Sequence, residues 1–144
     1  MANFYGTTRS NYFAIKDPEA FVAEMAKYPV EVIADPHRDE EGNEIGTLYG
    51  FMDSDDDGGG DIWTIYDDDN EEYTEVDWAD VFNRHLQDDW VAVIQSVGAE
   101  KHRYLSGFAV LYNNKGETHS VNLDNIYLFA DTFGYGKHIT KAQY

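Results

Sequence analysis

The sequence predicts an α+β fold, an antiparallel sheet with helices on one side, and three observations carry that expectation. Short runs of β-branched and aromatic residues alternate with turn signals. Two segments repeat apolar residues at helical spacing. Hydrophobic residues make up 42% of the chain and aromatics 15%, enough to fill a core. At 144 residues the chain has the length of a single domain, 1–144.

Residues 11–15 read as a first strand. Asp17-Pro18-Glu19 then opens a helix, with an acid at the N-cap, proline at the first helical position and an acid in the first turn. Phe21, Val22, Met25 and Ala26 form its apolar side, and Pro29 stops it. Residues 30–34 read as a strand, 35–43 as a polar connection and 45–52 as the next strand. Residues 62–66 form another, expected to pair with 45–52 as a hairpin with a long acidic tip. A second helix begins near Asp77 and places Trp78, Phe82, His85 and Leu86 on one face. Strands over 90–97, 103–112 and 117–121 follow, the last two joined by the turn Asn113-Asn114-Lys115-Gly116. A final helix over 124–131 is expected to turn Ile126, Tyr127 and Ala130 inward and to end at Gly134, leaving a loose tail from Lys137.

Four landmark pairs stand 61 positions apart: Phe21 and Phe82, Val30 and Val91, Ile33 and Ile94, Gly46 and Gly107. They raise a duplicated α-β-β-β unit, with pseudo-repeats 12–67 and 73–123, against chance alignment of common patterns.

The charge is lopsided. The formal net charge is −18, yet the stretch from Glu31 to Asp89 holds 21 of the 28 acids and two bases, Arg38 and Arg84, so it alone carries −19. The flanks together sum to +1 and hold Arg9, Lys16, Lys101, Arg103 and Lys115. Self-repulsion on this scale does nothing for a fold, so the charge points to an outside reader. The aromatic content excludes a disordered acidic tail. The chain has no cysteine, which excludes disulfides and thiolate chemistry. Neither a signal-peptide pattern nor an 18-residue apolar run is present, so the expected setting is the cytoplasm.

Two acidic clusters flank the strand at 62–66. The first, Asp53-Ser54-Asp55-Asp56-Asp57-Gly58, fits the opening of a calcium loop, with Asp61 at the ninth position. The twelfth position is Thr64 rather than a bidentate glutamate, and a strand stands where an entering helix belongs, so Asp53, Asp55, Asp57 and Asp61 are weak metal candidates. The second, Asp67-Asp68-Asp69-Asn70-Glu71-Glu72, has no ligand spacing, and Asp77 and Asp80 follow it. Taken alone each cluster is a solvated loop that keeps the protein soluble. Together they offer negative charge at a density comparable to duplex DNA, which carries about one charge per 1.7 Å of axis. Tyr49, Phe51, Trp63 and Tyr66 border the clusters, and any of these rings left exposed would anchor a partner.

Catalysis finds no motif. His85 lies on an apolar helix face, where a satisfied core histidine is expected, and His37, His102, His119 and His138 fall in loops, a strand and the tail. H-E-x-x-H, G-x-S-x-G and the phosphate-binding G-x-x-x-x-G-K-[ST] are all missing from the sequence, so neither an enzyme nor a cofactor is expected.

The segment Asn3-Phe4-Tyr5-Gly6-Thr7-Thr8-Arg9-Ser10-Asn11-Tyr12-Phe13 with Lys16-Asp17 resembles the start of small acidic proteins carried by phages and integrative elements. Glu100-Lys101-His102-Arg103-Tyr104, Asn113-Asn114-Lys115-Gly116-Glu117-Thr118 and Leu123-Asp124-Asn125-Ile126-Tyr127 are similar to the closing half of the same group. The resemblance implies a mobile-element setting, in which such proteins block restriction or CRISPR enzymes by imitating DNA. It carries no functional residue over. The expected function is therefore a DNA mimic that occupies the basic groove of a nucleic-acid-binding host complex through Asp53, Asp55, Asp56, Asp57, Asp61, Asp67, Asp68, Asp69, Glu71 and Glu72, with Asp77 and Asp80 extending the patch. A calcium-binding module built on the 53–61 loop, or an immunity-type protein that neutralises a toxin, is the alternative. No direct nucleic-acid or membrane contact is expected, and the sequence leaves the oligomeric state open.

Overall fold

A computed structural model describes residues 4–54 and 58–142. The elements run β1 (Phe4–Ser10), α1 (Pro18–Met25), β2 (Val30–Arg38), β3 (Glu44–Asp53), β4 (Thr64–Asp67), β5 (Glu72–Glu75), α2 (Trp78–His85), β6 (Ala92–Glu100), β7 (Tyr104–Tyr112), β8 (Thr118–Asn122) and α3 (Asn125–Thr132), closed by a 3₁₀ turn over Gly136–His138. Six strands form one antiparallel sheet in the order β2-β3-β1-β6-β7-β8, and β4 pairs with β5 in a separate two-stranded sheet. The architecture is α+β, as the sequence predicts.

Both main helices start where the capping residues place them. Asp17 accepts from the Ala20 amide at 3.2 Å with Pro18 at the first helical position, and Asp77 accepts from the Asp80 amide at 3.1 Å. Each lays a buried stripe on the same face of the sheet: Phe21 and Met25 from α1, Trp78, Val81 and Phe82 from α2. Phe13 lies among them, edge-on to Phe21 (5.8 Å), Phe51 (6.3 Å) and Phe82 (5.4 Å). Alternation on β3 puts Phe51 into this core and Met52 on the opposite face.

Four expectations are corrected. The first strand is β1, not residues 11–15. It was illegible because its inward residues are polar: Thr8 and Ser10 are buried, and their hydroxyls are held by the Gly60 carbonyl, Ser96 Oγ and the Asn11 carbonyl. Residues 11–15 form a strap with isolated bridges Phe13↔Tyr49 and Ile15↔Leu86. The polar connection 35–43 is shorter than expected, because β2 continues to Arg38 and leaves only 39–43 as the turn, and Pro36 is tolerated there since β2 is an edge. Strands β3 and β4 do not form a hairpin. The glycines between them turn the chain back over β1, where the Gly6 amide donates to the Gly58 carbonyl at 2.6 Å, and β4 pairs instead with β5. Finally, α3 buries none of its residues, and Ile126 is 60% exposed rather than inward. Gly134 does end this helix, at φ +83°.

The two α-β-β segments, α1-β2-β3 and α2-β6-β7, share order and bring Phe21 and Phe82 into one core. Their likeness stops at the third strand, since β8 joins the large sheet and β4 leaves it.

Candidate functional site

The acidic middle of the chain builds two projecting arms. The first is the β2–β3 hairpin, which carries Glu31, Asp35, Asp39, Glu40, Glu41 and Glu44. Its tip is closed by Asp39, which accepts from the amides of Glu41 (3.0 Å) and Asn43 (2.9 Å), and the Asn43 amide holds its carboxyl below the usual range. By sequence the segment 35–43 reads as a polar connection, and its run of acids is visible there.

The second arm is the β4–β5 hairpin, registered Thr64↔Glu75, Ile65↔Thr74, Tyr66↔Tyr73 and Asp67↔Glu72. Its root is tied to the body. Trp78 Nε1 donates to the Ile62 carbonyl at 3.1 Å, the Val76 amide donates to the Trp63 carbonyl at 2.8 Å, and Trp63 packs on Phe108 with ring centres 5.1 Å apart. Ile62 is fully buried at this root.

The twelve acids expected to act together divide into three sets. Five are committed to the fold. Asp53 accepts from the Thr8 amide at 2.8 Å, and Asp61 accepts from the Trp63 amide at 2.8 Å and from the Thr64 hydroxyl. Asp67 takes the Asp69 amide (3.0 Å) and the Asn70 side-chain amide (2.7 Å). Asp77 is the helix cap, and Asp80 pairs with Arg84 at 2.9 Å. Four stand at the hairpin tip, Asp68, Asp69, Glu71 and Glu72, all exposed, and no described residue donates to their carboxylates. The remaining three, Asp55, Asp56 and Asp57, lie outside the described residues.

The structure therefore gathers Asp67, Asp68, Asp69, Glu71 and Glu72 at one tip. Asp61 and Asp77 stand at its root, about 13 Å away along the four residues of β4. Asp53 is turned onto β1. At the tip, Asp67 and Glu72 are direct cross-strand neighbours, a like-charge pairing that costs stability unless something offsets it. The donor from Asn70, then the Asp69 amide, keeps the Asp67 carboxyl ionised by lowering its pKa. Beside these acids Tyr66 and Tyr73 form an exposed ring pair 4.9 Å apart, 48% and 75% open to solvent. Tyr73 was not singled out from the sequence, because nothing marked residues 72–75 as a strand.

Neither base of the acidic stretch reaches this tip. Arg38 donates to the Gly42 carbonyl at 3.1 Å, and Arg84 grips Glu24 with both terminal nitrogens at 2.7 Å. Glu24 was missed altogether. It lies between the helices, accepts also from Tyr28 Oη at 2.7 Å and bonds His85 Nε2 at 2.8 Å. Its one signal in the sequence was an acid within an apolar helix face. With two oxygens meeting four partners, the Glu24 carboxylate has no free acceptor site for substrate chemistry. It joins α1 to α2.

Among the described residues no group of three or more potential ligands could hold a metal ion. Asp53 and Asp61, two of the four calcium candidates, point at donors of the protein itself. No helix among the described residues is long and apolar enough to cross a membrane.

Comparison with models of protein families, with curated proteins and with solved structures finds no match. The hairpin has to be judged on its own geometry.

Proposed function

We propose that this chain is an acidic interaction protein that imitates DNA and inhibits a nucleic-acid-binding complex, a CRISPR-Cas effector or a restriction enzyme, in the cytoplasm of a host cell. One observation carries the reading: a projecting hairpin ends in four carboxylates with no partner among the described residues and sits in a stretch whose two bases are both engaged elsewhere. Ordinary solubilising acids need no such arrangement. Cross-strand neighbours lie about 5 Å apart and strand residues advance about 3.4 Å, the same scale as phosphates along one strand of DNA. The Tyr66–Tyr73 pair supplies what a bare polyanion lacks, rigid aromatic area next to the charge. The resemblance of the flanks to small mobile-element proteins agrees with this setting. Binding alone suffices for inhibition, and no catalytic step is part of the reading.

The test is a quadruple charge reversal, Asp68→Lys, Asp69→Lys, Glu71→Lys and Glu72→Lys, assayed for inhibition of DNA cleavage by candidate defence nucleases. The five fold-committed acids stay in place, so the variant should melt like the parent. Inhibition should fall by at least tenfold, and the parent's inhibition should weaken steeply with added salt. Inhibition that survives the reversal would reduce the tip to a solubilising loop.

A further inference from the structure

We propose that the protein pairs with a second copy of itself along the outer edge of β8, about a two-fold axis at Ser120.

The hydrogen-bond phase of β8 is fixed by two bonds, Asn113 amide to Glu117 carbonyl and Leu123 amide to Gly107 carbonyl (2.9 Å). Both join residues whose numbers add to 230, the register of the β7–β8 ladder, so the odd residues of β8 bond inward to β7. The main-chain groups of Thr118, Ser120 and Asn122 consequently point outward. The Asn122 amide is already taken by Asn125 Oδ1 at 2.6 Å. Among the described residues that leaves an edge with an unengaged donor and acceptor at Thr118 and Ser120 and an unengaged acceptor at Asn122. An antiparallel second copy centred on Ser120 matches this pattern. Ser120 and the second copy's Ser120 exchange two bonds, and each Thr118 amide donates to the opposite Asn122 carbonyl, for four in all.

The two edges of the sheet are built differently. Strand β2 carries the protections natural edges use: Pro36, the charges Glu31 and Asp35, and a bulge between His37 and Arg38. Strand β8, with the sequence Thr-His-Ser-Val-Asn, has no acid, lysine, arginine or proline, its ladder to β7 runs without a register shift, and all five residues are exposed. With one edge of the sheet protected and the opposite edge bare, β8 marks the side where another strand is accommodated.

The occupant is a second copy because of charge. In a chain of −18, residues 118–142 hold two acids, Asp124 and Asp131, and two bases, Lys137 and Lys141. This zero-charge segment offers nothing for a charged partner to complement, and another copy approaching it meets no local excess of like charge. Apolar area is available too. Val121 and Leu123 on the strand and its exit, and Ile126, Leu128, Phe129 and Phe133 on and after α3, are each more than half exposed. At on the order of 150 Å² per side chain, these six alone offer about 550 Å² per copy, most of the ~800 Å² per partner of a standard interface. Closed two-fold pairing is also the commonest oligomer symmetry.

Sedimentation equilibrium and light scattering on the full chain test this. The expected mass is about 33 kDa, twice the 16.5 kDa of one chain, and added salt should leave it unchanged. Ser120→Pro removes the central donor, and Phe129→Lys puts charge on α3 without touching the strand. Each should raise the dimer dissociation constant by at least tenfold, with circular dichroism unchanged for Phe129→Lys. A mass of one chain at all concentrations up to on the order of 100 μM, or a dimer that survives both substitutions, overturns the proposal.

Discussion

Replacing Glu24 with glutamine isolates the one polar cluster that links the two core helices. Oε1 meets Arg84 Nη1 and His85 Nε2, and Oε2 meets Arg84 Nη2 and Tyr28 Oη. Whichever oxygen becomes an NH₂ group, it confronts one Arg84 nitrogen that can only donate, and its other partner, Tyr28 Oη or His85 Nε2, keeps the contact only by turning from donor to acceptor. Bonds to a charged acceptor contribute about 1.5–3 kcal/mol each when largely shielded from water. The Arg84 bonds count for less, because its side chain is 46% exposed and keeps Asp80 as a partner. The Arg84 nitrogen left against an NH₂ group, the shielded bond forced to reverse and the charge lost to the rest together cost about 3 kcal/mol. For a domain of this size that lowers Tm by about 10 °C. Thermal unfolding followed by circular dichroism measures it, and a loss under about 1 kcal/mol would refute the assignment.

The same pair of proteins has a pH signature. Arg84, before His85 and Tyr28, holds the folded Glu24 carboxyl well below the ordinary carboxylate range. A depressed folded pKa contributes stability above the unfolded value, about 4.3, and loses it as pH falls toward the folded one. The stability gap between parent and Glu24→Gln should therefore hold across neutral pH and close below about pH 4. On the alkaline side, burial and then the bond to Glu24 push the Tyr28 phenol up to about 12. A raised folded pKa gives stability that is complete below the unfolded value, about 10, and is lost as pH rises toward the folded one.

Further substitutions separate acids that hold the fold from acids that face outward. Asp53→Ala strips the acceptor from the part-buried Thr8 amide and should cost about 1–2 kcal/mol in urea unfolding, whereas Asp68→Ala, with no internal partner, should stay within about 0.5 kcal/mol. Gly60→Ala combines φ +71° with a new Cβ at 2.8 Å from the Gly6 carbonyl carbon, so the loop must lift off β1, and a loss of about 2–3 kcal/mol is expected by calorimetry. Phe51→Ala empties a fully buried site stacked on Trp78 at 4.9 Å and should cost about 3–5 kcal/mol, measured by denaturant titration.

The parts of this molecule that sequence alone reveals are those where local chemistry and burial agree. Asp17-Pro18 and Asp77 marked both main helices because capping is a local interaction, and Trp78, Phe82 and Leu86 marked the buried face of α2 by spacing. Strand β1 was lost because Thr8 and Ser10 point inward; Gly60 and Ser96, 52 and 88 positions away, satisfy the Thr8 hydroxyl, and Ser10 Oγ donates to the Asn11 carbonyl and accepts from the Phe51 amide 41 positions away. The pairing of β4 went wrong for a similar reason. Adjacent strands favour a hairpin, and the contacts of Asp53, Gly58 and Gly60 with β1 divert the chain. For α3 the apolar content was read correctly and its destination was not, since periodicity cannot tell a core from an interface. In the candidate site, the acidic runs were plain, but their division was not. Which carboxylates serve the fold depends on the donors that surround them, and composition does not record that.

Trp78 gives the hairpin an optical consequence. Its indole is buried against Phe51 and also holds the root of the β4–β5 arm through the Ile62 carbonyl. Any fluctuation that frees the arm from the body must therefore break this bond and open the indole N–H to water, while the ring stays packed on Phe51 and Phe82. Emission from a protein retaining Trp78 as its single indole would report, in real time and without a label, whether the arm docks as a rigid lever or peels away when it is gripped.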